Sequence, residues 1–320
     1  MGKKGKEAAR ERREQRRREV TLLRAVPYEP DQRWWDGGLE PTGRAVAVVT
    51  GANRGIGYEI ARQLALHGLH VVLTSRDAAR VRDAADKILA AGEPGVSVEW
   101  RQLDVTDAAS VGDFAAWAAQ THGRIHILVN NAGVNFNRGA DNSVEFAEQV
   151  IQTNYFGTKR MIEAMMPLMK PFPHGGRIVN RIGDASLRDR LLNDDHLSEE
   201  LIDEMVMKFL KRTKQDDWSP TEWPQMYTDY SISKLAVNAY TRLLAMILSD
   251  RPEGQKIYIN CFCPGWVKTA MTGWEGNISA EEDKLLRFDW HCEDRGSEGR
   301  KGGRELRIID ISHGWMARDL

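Results

Sequence analysis

Tyr230 and Lys234 stand four residues apart in Tyr-Ser-Ile-Ser-Lys, a spacing that puts a phenol and an ammonium on one face of a helix. A free tyrosine releases its proton at a pH of about 10. A cation beside it favours the phenolate and brings the group into range for acid-base work at neutral pH. The pair is a candidate for giving a proton to an oxygen that is becoming an alkoxide. Alone, such a spacing is also what an ordinary solvated helix face shows, so its meaning depends on its surroundings.

A second group of residues lies far upstream. Thr50-Gly51-Ala52-Asn53-Arg54-Gly55-Ile56-Gly57 follows an apolar run and opens a helical stretch. Glycines there permit a tight turn and let the backbone approach a pyrophosphate held at the helix N-terminus. After the next apolar run comes Thr74-Ser75-Arg76, at the place where the adenosine ribose of a dinucleotide is read. A cation there suits the 2'-phosphate of NADP, and Arg54 adds a second guanidinium. Taken alone, Arg76 also reads as a plain surface arginine. Asp77 is read as the cap of the following helix.

These groups need a frame. From Ala45 onward, short apolar runs alternate with amphipathic stretches, the pattern of βαβ units. Candidate strands cover residues 45–50, 70–75, 96–104, 125–132, 176–180 and 257–264, with helices from Ile56 to about His67 and from Asp77 to about Ala91. Six strands so spaced predict an α/β fold: a Rossmann-type doubly wound parallel sheet with its ligand at the carboxyl ends of the strands.

The TGxxxGxG loop, in this context, resembles that of the short-chain dehydrogenase/reductases, and the resemblance runs along most of residues 45–280. It is nearest to the plant carbonyl-reductase-like subgroup. The resemblance implies an NADP cofactor, because the acidic residue of NAD-using members falls at Ser75. It places Gly51, Asn53, Arg54, Gly55, Ile56, Gly57 and Arg76 against the cofactor. It assigns Asp104 and Val105 to the adenine, Asn130, Ala132 and Gly133 to the sheet end and nicotinamide ribose, and Pro264, Gly265, Val267 and Thr269 to the nicotinamide amide. Tyr230 becomes the proton donor, Lys234 the residue that also bonds the ribose, and Asn154 in Asn-Tyr-Phe-Gly a holder of the proton-relay water.

The family pattern also expects a serine after the fifth strand, in Ile-Val-Asn-x-Ser-Ser. Here the chain reads Ile178-Val179-Asn180-Arg181-Ile182-Gly183-Asp184, so Gly183 occupies the serine's place and Ser186 is the next hydroxyl. In the subgroup a serine-bearing loop precedes a segment similar to residues 185–192, and the reading is that this loop is deleted; Ser186 filling in is the alternative. The expected function is NADPH-dependent reduction of a carbonyl on a small apolar metabolite, or oxidation of the alcohol, weakened by the missing serine. The alternative is a catalytically inactive nucleotide-binding relative that acts as a binding or interaction protein.

Between Asn180 and Tyr230 an insert, about 187–223, carries Leu197, Leu201, Ile202, Met205, Val206 and Phe209 on an apolar stripe, while Trp218, Trp223, Pro224, Met226 and Tyr227 offer an apolar wall. The resemblance implies that such an insert covers a helix face used elsewhere for dimerisation, hence a monomer. Residues 1–40 read as a charged tail, its basic residues interleaved with glutamates, followed by a docked arm containing Leu22, Leu23, Val26, Tyr28, Trp34 and Trp35. Residues 41–282 form the expected NADP-binding domain. Residues 283–320 form an atypical polar, glycine-rich tail. There His291 and Cys292 lack a second ligand pair, so no metal site is expected, and residues 306–311 could add an edge strand.

Bulk properties exclude other classes. The 320-residue chain has a net charge of −1, which gives no global attraction to nucleic acid or membrane; a nucleic-acid role would rest on the N-terminal arm alone. No apolar run approaches the roughly 18 to 20 residues that span a bilayer, and the start lacks a signal peptide's hydrophobic stretch. Three cysteines form no disulfide framework, which points to a reducing, cytoplasmic setting.

Overall fold

The structure, a computed structural model, describes residues 44–137, 144–169, 176–181, 197–215, 227–252, 255–262, 264, 267–276 and 278–280. The chain divides into two units, Met1–Asp36 and Gly37–Leu320. The first, with the predicted tail and arm, lies outside the described residues, as does the predicted tail 283–320.

All six expected strands form one parallel sheet: β1 Val46–Val49, β2 His70–Ser75, β3 Ser97–Gln102, β4 Ile127–Asn130, β5 Gly176–Arg181 and β6 Ile257–Phe262, in the order β3-β2-β1-β4-β5-β6. β1 and β4 are buried at every position, as expected of central strands covered by helices on both faces. Edge strand β3 is half-buried or exposed throughout. The strand order reverses between β1 and β4, which opens a crevice beyond their carboxyl ends. A two-stranded ladder, β7 Val267–Lys268 with β8 Ile278–Ser279, comes after β6.

Three of the described α-helices, those capped by Asp77, Asp107 and Ser198, begin at a short polar side chain that serves an orphan amide. α1 spans Gly55–Leu66. α2, Ala78–Ala90, is capped by Asp77, which accepts from Arg80 N at 3.1 Å, as the sequence predicts. α3, Ala108–His122, is capped by Asp107 and ends at left-handed Gly123. α4, Ala147–Ile151, runs straight into a π-helical turn, Gln152–Phe156, and then into α5, Gly157–Met165. α6 is Glu199–Lys214 and α7 is Thr228–Ser249. Among the described residues no helix is long and apolar enough to cross a membrane.

The helical insert materialises as α6. Ser198 caps it, acidic Glu199 and Glu200 open it and Lys211, Arg212 and Lys214 close it, each charge matching the helix dipole. Ile202, Val206 and Phe209 are fully buried, with Leu197 and Leu210 beside them, against α7 and α4. Leu201 does not join this face. It is 41% exposed, because it lies one residue, about 100°, round the helix from Ile202; Leu210, at i+8 from Ile202, takes its place. Asp203 then fastens the helix to the π-turn: it accepts from Tyr155 Oη at 2.6 Å and from Lys159 Nζ at 2.6 Å, and Glu199 pairs with the same ammonium at 2.7 Å.

His126, just before β4, sits in the core, where its Nδ1 accepts from Val46 N at 3.0 Å. Burial, with the nearby charge of Arg124, pushes the imidazole down from 6.5 to about 4. The unfolded imidazole therefore takes up a proton between these values while the folded one does not, so stability falls as pH drops through that window. Acidification across it should remove up to about 3 kcal/mol. His126→Asn, whose Oδ1 can still accept from Val46 N, should flatten the dependence in urea titrations at neutral and mildly acidic pH; an unchanged slope in that variant would refute the assignment.

Candidate active site

The loop between β1 and α1 is held by one hydroxyl and one amide. Thr50 Oγ1 accepts from Asn131 N and from Ala132 N, both at 3.0 Å. Asn131 Nδ2 donates to Thr50 O at 2.9 Å and to Gly51 O at 3.1 Å. The loop after β1 is thus welded to the loop after β4. Gly51 and Gly55 have φ of 63° and 58°, left-handed values that side chains rarely adopt. A Cβ on Gly57 would collide with Asn131 Nδ2 and the Gly51 carbonyl, so close packing of α1 on this loop depends on glycine there.

The geometry at the start of α1 suits a dinucleotide. No side chain caps it and no acid lies in its first turn, so its amides face the crevice edge without a competing anion. Arg54, the residue preceding α1, and Arg76, the residue following β2, are exposed at neighbouring strand ends. Among the described residues no carboxylate pairs with either guanidinium. Buried Ser75 leaves no acid at the end of β2. Asn53 and Ile56 lie within the loop and first turn as expected.

Asp104 and Val105 come after β3. Asp104 Oδ1 accepts from Thr106 N at 2.9 Å and Thr106 Oγ1 at 2.7 Å, a local turn that leaves its second oxygen uncommitted to Thr106. Val105 is buried; its carbonyl accepts from Arg160 Nη1 at 2.6 Å.

The candidate chemistry converges where β4, the π-turn and α7 meet. Asn154 is fully buried, its Oδ1 accepting from Val134 N at 2.8 Å and its Nδ2 donating to Val134 O and Ser233 Oγ, both at 3.0 Å. Ser233 Oγ in turn donates to Tyr230 O at 2.7 Å. The whole side chain of Asn154 is therefore engaged in joining three segments, and any water it helps to hold must be held through the backbone of its π-turn. Lys234 is buried, with Nζ 5.5 Å from the centroid of the Tyr230 ring. A Cβ on Gly133 would stand 3.6 Å from that ammonium and 3.2 Å from Asn154 Oδ1. Tyr230, Lys234, Asn154 and Gly133 thus lie together in one cluster.

Behind it runs a ladder across the sheet. Asn130 Nδ2 donates to Asn180 Oδ1 at 2.9 Å, and Asn180 Nδ2 donates to Thr241 Oγ1 at 2.9 Å. On the other flank, Thr269 Cγ2 would lie 3.4 Å from a Cβ on Gly55, which brings the segment after β6 against the glycine loop. Pro264 and Val267 are buried. Gly265 lies outside the described residues, as do Gly183, Ser186, Trp218, Trp223, Pro224 and Met226.

Several groups at the site escape a reading of the sequence. Asn137 Nδ2 donates at 2.5 Å to Asp229 Oδ1, which also accepts from Tyr230 N at 2.6 Å. Burial pushes the Asp229 carboxyl above the usual range despite these bonds. An acid directly before a candidate catalytic tyrosine is a signal that could have been read; Asn137 and Ser233 become visible only once the chain is folded.

Residues 45–190 match the family model described as short chain dehydrogenase. The chain is 38% identical over 266 residues to short-chain dehydrogenase/reductase 1 of Saponaria officinalis, an alignment covering 74% of this chain and 86% of that protein. It is 34% identical to mouse carbonyl reductase [NADPH] 1, covering 75% and 87%. Among solved structures it resembles salutaridine reductase of Papaver somniferum, with 34% identity, a TM-score of 0.65, and coverage of 76% and 93%.

Asn154 both donates and accepts, so Asn154→Asp should keep the bond from Val134 N and lose those to Val134 O and Ser233. The expected cost is about 2 kcal/mol in urea unfolding, with weaker nucleotide binding. An unchanged midpoint would show that this amide is not what joins the segments.

Proposed function

Since the chain belongs to the short-chain dehydrogenase/reductase family, we propose that this oxidoreductase uses NADPH to reduce the carbonyl of a small apolar molecule, or runs the reverse oxidation. The observation that carries this reading is the cluster of Tyr230, Lys234 and Gly133 at the carboxyl end of the strands that also present the glycine loop.

When bound, the nicotinamide supplies hydride. The residues of this chain supply the rest. The amides of the first turn of α1 receive the pyrophosphate, and Arg54 and Arg76 receive the 2'-phosphate through charge-assisted bonds. Lys234, whose ammonium stands 5.5 Å from the centroid of the Tyr230 ring, would reach the ribose. Tyr230 Oη delivers a proton to the carbonyl oxygen. Asp104 and Val105 would contact the adenine, Asn130 and Ala132 would steady the sheet end and the nicotinamide ribose, and Pro264, Gly265, Val267 and Thr269 would receive the nicotinamide amide. Exposed Phe136, after β4, and Trp274, between β7 and β8, support an apolar substrate. The similarity to a carbonyl reductase whose name specifies NADPH supports the cofactor. α6 lies across α4 and α7, which supports a monomer, checked by sedimentation. The boundaries 41–282 for the catalytic domain and a cytoplasmic location belong to the same reading.

Gly183 at the expected serine position favours a second reading, a nucleotide-binding relative with little or no turnover. A missing donor to the developing alkoxide should cost on the order of 10² to 10³ in rate. The two readings separate in one set of measurements. NADPH should bind more tightly than NADH in a fluorescence titration, and Arg54→Ala and Arg76→Ala should each weaken NADPH by about tenfold while leaving NADH unchanged. Equal affinities in the folded wild type would defeat the assignment. Against a panel of apolar ketones and aldehydes, slow reduction that Tyr230→Phe abolishes, without altering the Kd for NADPH, supports catalysis. Binding without any turnover establishes the second reading.

A further inference from the structure

At the opposite end of the sheet from the crevice, two imidazoles and a carboxylate converge. His70 is the first residue of β2 and pairs in register with Ser97, the first of β3. Glu99 lies two residues beyond Ser97, on the same face of the strand. His122 is the last residue of α3, whose end is turned by left-handed Gly123. One donor atom from each of His70, Glu99 and His122 lies within 4.8 Å of the others.

His70 Nε2 is 2.9 Å from Glu99 Oε1. His122 Nε2 lies 2.7 Å from the same oxygen, so two imidazoles converge on one carboxylate oxygen. A cation at their centre satisfies all three donors. Ser97 Oγ, 2.8 Å from His70 Nδ1, supplies the outer partner that a metal-binding histidine uses: when it accepts from Nδ1, the Nε2 lone pair points into the cluster. We propose that His70, Glu99 and His122 form a binding site for a divalent transition-metal ion, zinc(II) foremost.

Two imidazoles with one carboxylate are a zinc ligand set, and they disfavour magnesium and calcium, which take oxygen ligands. Ligand atoms of a tetrahedral zinc stand roughly 3.4 Å apart, so the contacts of 2.9 and 2.7 Å to Glu99 Oε1 need to open by about 0.5 and about 0.7 Å. Its side chains are 21%, 33% and 11% exposed for His70, Glu99 and His122, enough for Glu99 to swing and for water to fill the fourth position. The site joins β2, β3 and the end of α3, far along the strands from Tyr230, so the ion would brace the sheet edge rather than take part in hydride transfer.

The full chain, stripped with EDTA, should take up one zinc ion in calorimetry at about neutral pH, with micromolar or tighter affinity. Cobalt(II) should give the intense visible absorption of a tetrahedral site, zinc should raise Tm by a few degrees, and magnesium should do neither. Glu99→Gln and His122→Gln should each weaken zinc at least tenfold, on the order of the losses seen when a ligand shell is broken. If His122→Gln fails to fold, as judged by circular dichroism, His70→Gln at the more exposed position gives the same readout. The proposal is overturned if folded wild-type chain binds no zinc, or if the folded variants bind it as tightly as wild type, which would place the ion on other ligands such as His291 and Cys292.

Discussion

The side-chain amide of Asn154 is the point at which the segments bearing the candidate chemistry are joined. An amide is needed because Val134 presents both a donor and an acceptor, and only a group with both can satisfy them in the buried interior. Its second amide hydrogen reaches Ser233, and Ser233 reaches the Tyr230 carbonyl. At Gln152–Phe156 the helix widens into a π-turn, in which Asn154 faces the loop after β4 and the next residue, Tyr155, bonds to Asp203 of α6. Such a turn breaks the regular hydrogen-bond ladder, and Thr158 Oγ1 returns one bond to the Asn154 carbonyl at 2.9 Å. The insert helix is consequently part of the site's support: Asp203 anchors Tyr155 and Lys159 one residue and five residues beyond Asn154.

How much of this is legible in the sequence depends on the range of the interactions. β1, β2 and β4 are legible because burial on both faces demands apolar runs, and the Asp77 cap because its partner is three residues away. The glycine loop and the Tyr230–Lys234 pair are legible because their chemistry depends on local spacing. The clamp from Asn137 to Asp229 joins residues 92 positions apart and has no local signature. The assignment of Leu201 to the buried stripe errs for a similar reason: an apolar residue at the edge of a helical face goes inward or outward according to what packs against it, and here α7 and α4 admit Leu210 instead.

The two ends of the sheet are electrostatically distinct. The carboxyl end offers the first amides of α1 and two guanidiniums to an anion. The amino end gathers His70, Glu99 and His122, with His126 buried nearby in the chain at the start of β4. Parallel strands make this separation unavoidable: every βα turn lies at one end, and every αβ return at the other. A change at the amino end therefore alters sheet stability without altering the position of Tyr230, which is set by α7 and the loop after β4.

That separation has a counterpart within the site itself. Asn180, near the end of β5, is fixed by Asn130 and Thr241. The groups that would bind the nucleotide come from the ends of β1, β2, β3 and β4, from the segment after β6 and from Lys234 on α7, none of which is a serine after β5. A serine donor acts on charge that appears only in the transition state, whereas the glycine loop and the cations act on the ground state as well. A chain without such a donor would therefore lose turnover before it lost nucleotide affinity.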